Sequence, residues 1–172
     1  MKAKRASETL SITTKVVLPN DTNTLGNLFG GQLLAWMDVI ASVSAHRHSK
    51  RVVVTASVNH VSFQRPIKHA SIVTLEAKVS RAFSSSMEIF VDVFVEDQVT
   101  GEREKCNEAI YTFVAVDQNG GPIQVPELIP ETDEEKARYE GALRRKQLSL
   151  ILAGKMKATE ATELKKLFLE GE

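Results

Sequence analysis

At 172 residues, 42% of them hydrophobic, the chain is long enough for one domain with its own core and a tail. Its 22 lysines and arginines balance 22 aspartates and glutamates, and a formal charge of zero argues against general nucleic-acid binding. The one cysteine, Cys106, excludes an intrachain disulfide, no apolar run is long enough to span a bilayer, and the polar, basic N-terminus lacks a signal-peptide core, which together predict a soluble cytoplasmic protein.

Met1 to Glu8 is expected to fray. Leu10 to Leu18 alternates and predicts a strand, ended by the turn formers Pro19-Asn20-Asp21. A polar loop and the pair Gly30-Gly31 then open a helix that runs to about His46. Leu34, Met37 and Ala41 share one face of it, and Trp36, Val39 and Val43 lie roughly opposite. A helix apolar all round is expected to be buried. Asp38 sits in its middle, and a buried carboxylate is costly unless it is paired, hydrogen-bonded or facing a working cavity. The run His46-Arg47-His48-Ser49-Lys50 brings cations to the negative end of the helix dipole.

The period then changes to two. Val52 to Phe63, Ser71 to Arg81, Met87 to Val95 and Lys105 to Val116 read as four strands, broken by Arg65-Pro66, Ser84-Ser85-Ser86 and Thr100-Gly101. Consecutive strands with short connections favour antiparallel pairing, and one long helix against such a sheet is an α+β layer. Pro126 and Pro130 mark a linker, giving a domain over 1–125 and a helical extension over 126–172. In the extension, Asp133 to Ser149 reads as a helix capped by Thr132, and Met156 to Leu169 as a second one.

Several chemistries lack their residues. There is no Gly-x-Ser-x-Gly elbow and no glycine-rich phosphate loop. His46 and His48 point to different sides of a helix end and make a poor metal pair, and Cys106 reads as a buried structural thiol. His60 and His69 read as structural or exposed. Asp38 admits two readings: a carboxylate reaching solvent at the helix edge, or a catalytic acid. The amides of Gly30 and Gly31, at the positive helix end, suit a developing oxyanion. A carboxylate could activate water or attack directly, and Asn23 could orient that water or polarise a carbonyl. Asp38 lies about 10 Å along the helix axis from the glycines, so a second copy of the chain is expected to complete the site.

The segment Asn23-x-x-Gly26-Asn27-x-Phe29-Gly30-Gly31-x-x-Leu34-x-x-Met37-Asp38 resembles the signature of hot-dog-fold acyl-CoA thioesterases of the cytosolic acyl-CoA hydrolase type. Val61-Ser62-Phe63-x-x-Pro66-Ile67 and Val79-x-Arg81-x-Phe83-Ser84-Ser85 are similar to the same family, in the same order. The resemblance implies a hot-dog fold and a homodimer with a continuous sheet, often assembled into trimers of dimers. It implies hydrolysis of fatty acyl-CoA to CoA and free fatty acid, with Asp38 working with Asn23 across the dimer interface. The motif leaves open whether Asp38 is base or nucleophile. No cofactor or metal is implied, since CoA belongs to the substrate. Arg65, Arg81 and the Ser84-Ser85 turn are the candidates for the CoA phosphates, with Arg144 and Arg145 behind them. Leu34, Trp36 and Phe63 are candidates for an acyl channel. Phe29 stands where dehydratases of this fold place a histidine. The rival reading is a non-catalytic acyl-CoA-binding protein of the same fold.

Overall fold

A computed structural model describes residues 1–169, which divide into two compact units between Ile129 and Pro130. The first unit opens with β1 (Lys4–Arg5), a 3-10 turn (Ala6–Thr9) and β2 (Ser11–Val16). Helix α1 (Gly30–Ser49) follows, then β3 (Val52–Phe63), β4 (Ile72–Ala82), β5 (Ser86–Glu96), β6 (Arg103–Val116) and β7 (Leu128–Ile129). The five long strands form one antiparallel sheet in the order β2-β4-β5-β6-β3.

Alternation decides which face of the sheet is dry. Val73, Leu75, Ala77 and Val79 on β4 are buried, as are Tyr111, Phe113 and Ala115 on β6. Leu33, Met37, Ile40, Ala41 and Ala45 of α1 are buried as well. This is the α+β layer that the periodicity predicts.

The helix is not covered all round, contrary to expectation. Ala35, Val39 and Val43 form an exposed stripe, and Val39 is 64% exposed. Apolar residues on both sides of a helix read the same in sequence whether they meet the chain's own core or a second chain. Asp38 lies at the border of this stripe and is half-buried, so the buried carboxylate expected from the sequence is not found.

The sheet ends in two edges, β2 and β3. The β3 edge is 12 residues long and exposes Val52, Val54, Val58 and Phe63. A long apolar edge is a template for pairing with another strand. Its ladder with β6 slips twice, between Thr55 and Ser57 and between Asn59 and Ser62, where His60 takes a left-handed φ of 46°.

The N-terminus is held rather than frayed. β1 runs parallel to β7, with Lys4 opposite Leu128. The Lys4 ammonium donates to the Arg47 and His48 carbonyls at 2.9 and 2.7 Å, where the end of α1 leaves acceptors unpaired. The buried Thr9 hydroxyl donates to the Ala6 carbonyl at 2.7 Å and accepts from the Val79 amide at 3.0 Å. His48 does not supply the expected cation at the helix end. It is buried, and its Nε2 lies 2.7 Å from the Pro126 carbonyl, which makes it the donor. Burial pushes its pKa down.

In the second unit, α2 (Asp133–Leu152) starts at a capping box: the Thr132 hydroxyl accepts from the Glu135 amide and the Glu135 carboxylate accepts from the Thr132 amide, both at 3.2 Å. The expected start of the last helix at Met156 moves to Thr162. Gly154, at φ 68°, and a 3-10 turn (Ala158–Glu160) come first, and α3 covers Thr162–Leu169.

Candidate active site

The catalytic candidates fall in two places. The first is the open side of α1 and β3. Asp38 Oδ1 accepts a hydrogen bond from the Thr55 hydroxyl of β3 at 2.8 Å. One turn earlier, the Leu34 carbonyl accepts from the Tyr111 hydroxyl at 2.9 Å. Burial, and then the negative charge of Asp38, pushes the Tyr111 pKa up to about 12. Tyr111 therefore stays a donor that pins α1 to the sheet beside Asp38, while Thr55 fixes one carboxylate oxygen and leaves the other for chemistry.

The second place is a cavity of about 320 Å³ bordered by Asn23, Gly30, Leu33, Phe63, Arg65 and Asn107, among others. The Asn23 Oδ1 accepts from the Leu25 and Asn27 amides at 2.9 and 3.2 Å. Its backbone closes the same turn through Asn27 and Gly26, and Gly26 takes φ 73°. The side-chain oxygen is thus used locally, and Nδ2 is the atom free to donate into the cavity. No side chain caps α1, so the Gly30 and Gly31 amides have no acceptor among the described residues. Space is tighter at Gly31 than at Gly30. A Cβ on Gly31 would lie 2.6 Å from the Phe29 ring, and one on Gly30 3.4 Å from Phe63.

Asp38 and Gly31 do not border the cavity that holds Asn23 and Gly30. Nor does one chain gather the predicted phosphate ligands. Arg65 sits at the cavity rim, just past the Phe63 end of β3, in an ion pair with Glu104. Both partners are exposed, so the pair is worth little and can open to an anion. Ser84 and Ser85 form the β4–β5 turn, where their carbonyls accept from the Val125 and Ala115 amides at 3.0 and 2.9 Å. The Arg81 guanidinium lies 5.6 Å from the Phe83 ring. That turn sits near the Val116 end of β6, which pairs with Val52 at the start of β3. Arg65 and the serine turn are therefore separated by roughly the length of β3, on the order of 40 Å at ~3.3 Å per residue. Arg144 and Arg145 lie on α2, where Arg145 donates to the Arg138 carbonyl at 3.0 Å. Leu34 and Trp36 are half-buried outside the cavity, and Phe63 lines it.

Sequence reasoning missed Thr55, Tyr111 and Asn107. Each sits on a strand at a position whose partner is set by tertiary register. A hydroxyl or amide breaking an apolar alternation was the only signal. Among the described residues there is no metal-binding cluster of His, Cys, Asp or Glu, and no helix is long and apolar enough to cross a membrane.

The chain matches the thioesterase superfamily model over residues 25–102. It is 46% identical over 138 residues, 80% of each chain, to a Bacillus subtilis protein named as an uncharacterized acyl-CoA thioester hydrolase. It is 35% identical to the rat cytosolic acyl coenzyme A thioester hydrolase, covering 73% of this chain and only a third (33%) of that longer protein. Among solved structures, the Staphylococcus aureus acyl-CoA hydrolase in complex with butyryl-CoA and CoA superimposes at a TM-score of 0.83, with 37% identity over 88% of this chain and 94% of that one. A hexameric acyl-CoA thioesterase superimposes at 0.85, with 39% identity over 89% and 98%. The Staphylococcus aureus hydrolase has also been solved with an aspartate, an asparagine or a threonine changed to alanine.

Proposed function

Because the chain belongs to the acyl-CoA thioester hydrolases of the thioesterase superfamily, we propose that it cleaves fatty acyl-CoA at a site shared between two copies of itself. The protein is a hot-dog-fold enzyme that hydrolyses acyl-CoA thioesters. The observation that carries the shared site is the separation of its parts. Asp38 and Thr55 face outward on α1 and β3, while Asn23 and Gly30 line a cavity that Asp38 does not border.

Antiparallel pairing of β3 with the β3 of a second copy joins the halves. It covers the apolar edge and the Val39–Val43 stripe, and a two-fold interface repeats each contact. It also brings the Arg65 end of one chain toward the Ser84-Ser85 end of the other, so that Arg65 of one protomer and Arg81, Ser84 and Ser85 of its partner hold the CoA phosphates. The three residues replaced in the Staphylococcus aureus variants are spaced along their chain as Asn23, Asp38 and Thr55 are spaced here, which supports these roles.

In the reaction, the thioester carbonyl oxygen accepts from the Gly30 amide and Asn23 Nδ2 of one protomer, and the Gly31 amide, next along the helix end, adds its positive field from outside the cavity. Water adds to the carbonyl carbon and gives a proton to Asp38 of its partner. The C–S bond then breaks and CoA leaves with a proton, so no cofactor is needed. If Asp38 adds to the carbonyl itself, an acyl-aspartate forms and water cleaves it in a second step. If water opens that anhydride at its aspartyl carbonyl, a single turnover in ¹⁸O-water leaves label in Asp38, whereas direct attack by water on the thioester leaves label only in the fatty acid. The enzyme is a homo-oligomer, as its hexameric neighbours are, and a trimer of dimers fits the pairing above. The cytosolic relatives support a cytosolic site of action.

Thiol release from a fatty acyl-CoA tests the reading. Wild type is expected to turn over and Asp38→Asn to lose on the order of 10²–10⁴-fold in kcat. No release by wild type overturns the enzyme assignment; full activity in Asp38→Asn overturns the role of Asp38.

A further inference from the structure

Asn107 borders the cavity that holds Asn23 and Gly30 but has no role in the proposed reaction. It lies on β6 and is only 1% exposed. The β5–β6 ladder slips one residue beside it: Val93 pairs with Asn107 but Phe94 pairs with Lys105, which leaves Cys106 as a bulge. Bulges re-aim the side chains next to them. Asn107 falls on the same face of β6 as Ala109 and Tyr111, and Tyr111 bonds to α1, so that face is the one under the helix.

We propose that Asn107 is a substrate-binding residue whose amide nitrogen donates to a carbonyl of the pantetheine arm of CoA. This role of Asn107 rests on the thioesterase reading. The orientation of the amide is set by its neighbour: Asn107 Oδ1 accepts from the Gln64 backbone amide at 2.9 Å, so the other branch is the NH₂ group. That nitrogen has two hydrogens, and its one acceptor among the described residues is the Cys106 sulfur at 3.5 Å. A thiol is a weak acceptor, and a buried amide nitrogen left without a good one is costly. The cavity is where the missing acceptor belongs.

Position selects the ligand. Gln64, tied to Asn107, directly precedes Arg65 at the cavity rim, while Asn23 and Gly30 form the reacting end. Asn107 thus lies on the path between the phosphate-binding rim and the thioester. In acyl-CoA the arm that joins phosphates to thioester is pantetheine, a mostly apolar chain with two amides. The wall matches that mixture, with Leu33, Phe63 and Ile67 for the methylenes and Asn107 for a carbonyl. A hydrocarbon tail in the same place would leave the donor unpaired. The cavity therefore takes the CoA arm rather than the acyl chain, and Phe63 lines that path instead of an acyl channel.

Titration calorimetry on the full chain tests this with two ligands, CoA and 3′-phosphoadenosine 5′-diphosphate, which lacks the arm. Asn107→Asp keeps the acceptor for Gln64 and loses the donors; Asn107→Ser is the second variant. Both are expected to weaken CoA about tenfold and to leave the nucleotide unchanged. Unchanged CoA affinity in a folded variant overturns the proposal. Equal weakening of both ligands also overturns it, because Asn107 would then only shape the Arg65 rim. If neither variant folds, the wild type decides: CoA must bind at least about tenfold more tightly than the nucleotide, and equal affinities overturn the proposal. CoA binding by a protein that releases no thiol would sink the enzyme reading alone.

Discussion

Among single residues, the proposed role of Asp38 depends most on Thr55. Its hydroxyl donates to Asp38 at 2.8 Å and so fixes how the second carboxylate oxygen points. A hydrogen bond to a charged group is worth about 1.5–3 kcal/mol. Thr55→Ala is therefore expected to lower kcat by roughly 10- to 100-fold with little change in KM. Steady-state kinetics check this, and wild-type kcat in the variant would remove Thr55 from the site. Asn23 and Asp38 stand out as candidates in the sequence because a polar loop, a glycine pair and an acid inside an apolar helix are local signals. Thr55 and Asn107 do not. Each looks like one more polar residue in a strand until the register with α1 or β3 is known.

For elements, the strands were legible because alternation is a local property that the sheet makes global. The N-terminal strap was not, since two residues of β1 carry no period; only the pairing with β7 and the Lys4 bonds reveal it. The strap closes over the end of α1, beside His48. Burial lowers the pKa of that imidazole, with Lys4 also lowering it and Glu8 raising it. The unfolded chain takes up a proton near the ordinary value of 6.5 while the folded chain resists it. This contribution thus leaves stability intact above pH 6.5 and erodes it as the pH falls below. Thermal unfolding at pH 7.5 and 5.5 should show a drop in Tm for wild type and a smaller one for His48→Gln. An equal drop in both would assign the effect to other groups. The β3 edge makes a separate prediction. Val54→Lys and Val58→Lys place charges on the exposed edge and are expected to shift sedimentation toward the single chain and to abolish turnover, with far-UV dichroism unchanged. A stable oligomer in both variants would mean that β3 is not the pairing edge.

Taken whole, the chain leaves three features without a counterpart of their own. Its helix has an uncovered apolar stripe, its sheet has an uncovered apolar edge, and its acid stands apart from its cavity. The proposed two-fold partner would answer all three with one contact. The expectation of a helix covered on every side fails within one chain, because an apolar face reads the same in sequence whether its own core or a second copy covers it, and the proposed dimer supplies the second. The most direct measurement is complementation between Asn23→Ala and Asp38→Ala chains carrying different tags, co-expressed and purified as mixed oligomers. A mixed dimer joins the intact Asn23 of one protomer to the intact Asp38 of its partner at one of its two sites. Dimers that carry both tags should therefore restore about half of wild-type activity, and hexamers assembled by random pairing about a quarter, from two variants that are each inactive alone. Mixed oligomers with no activity above that of the single variants would contradict a shared site.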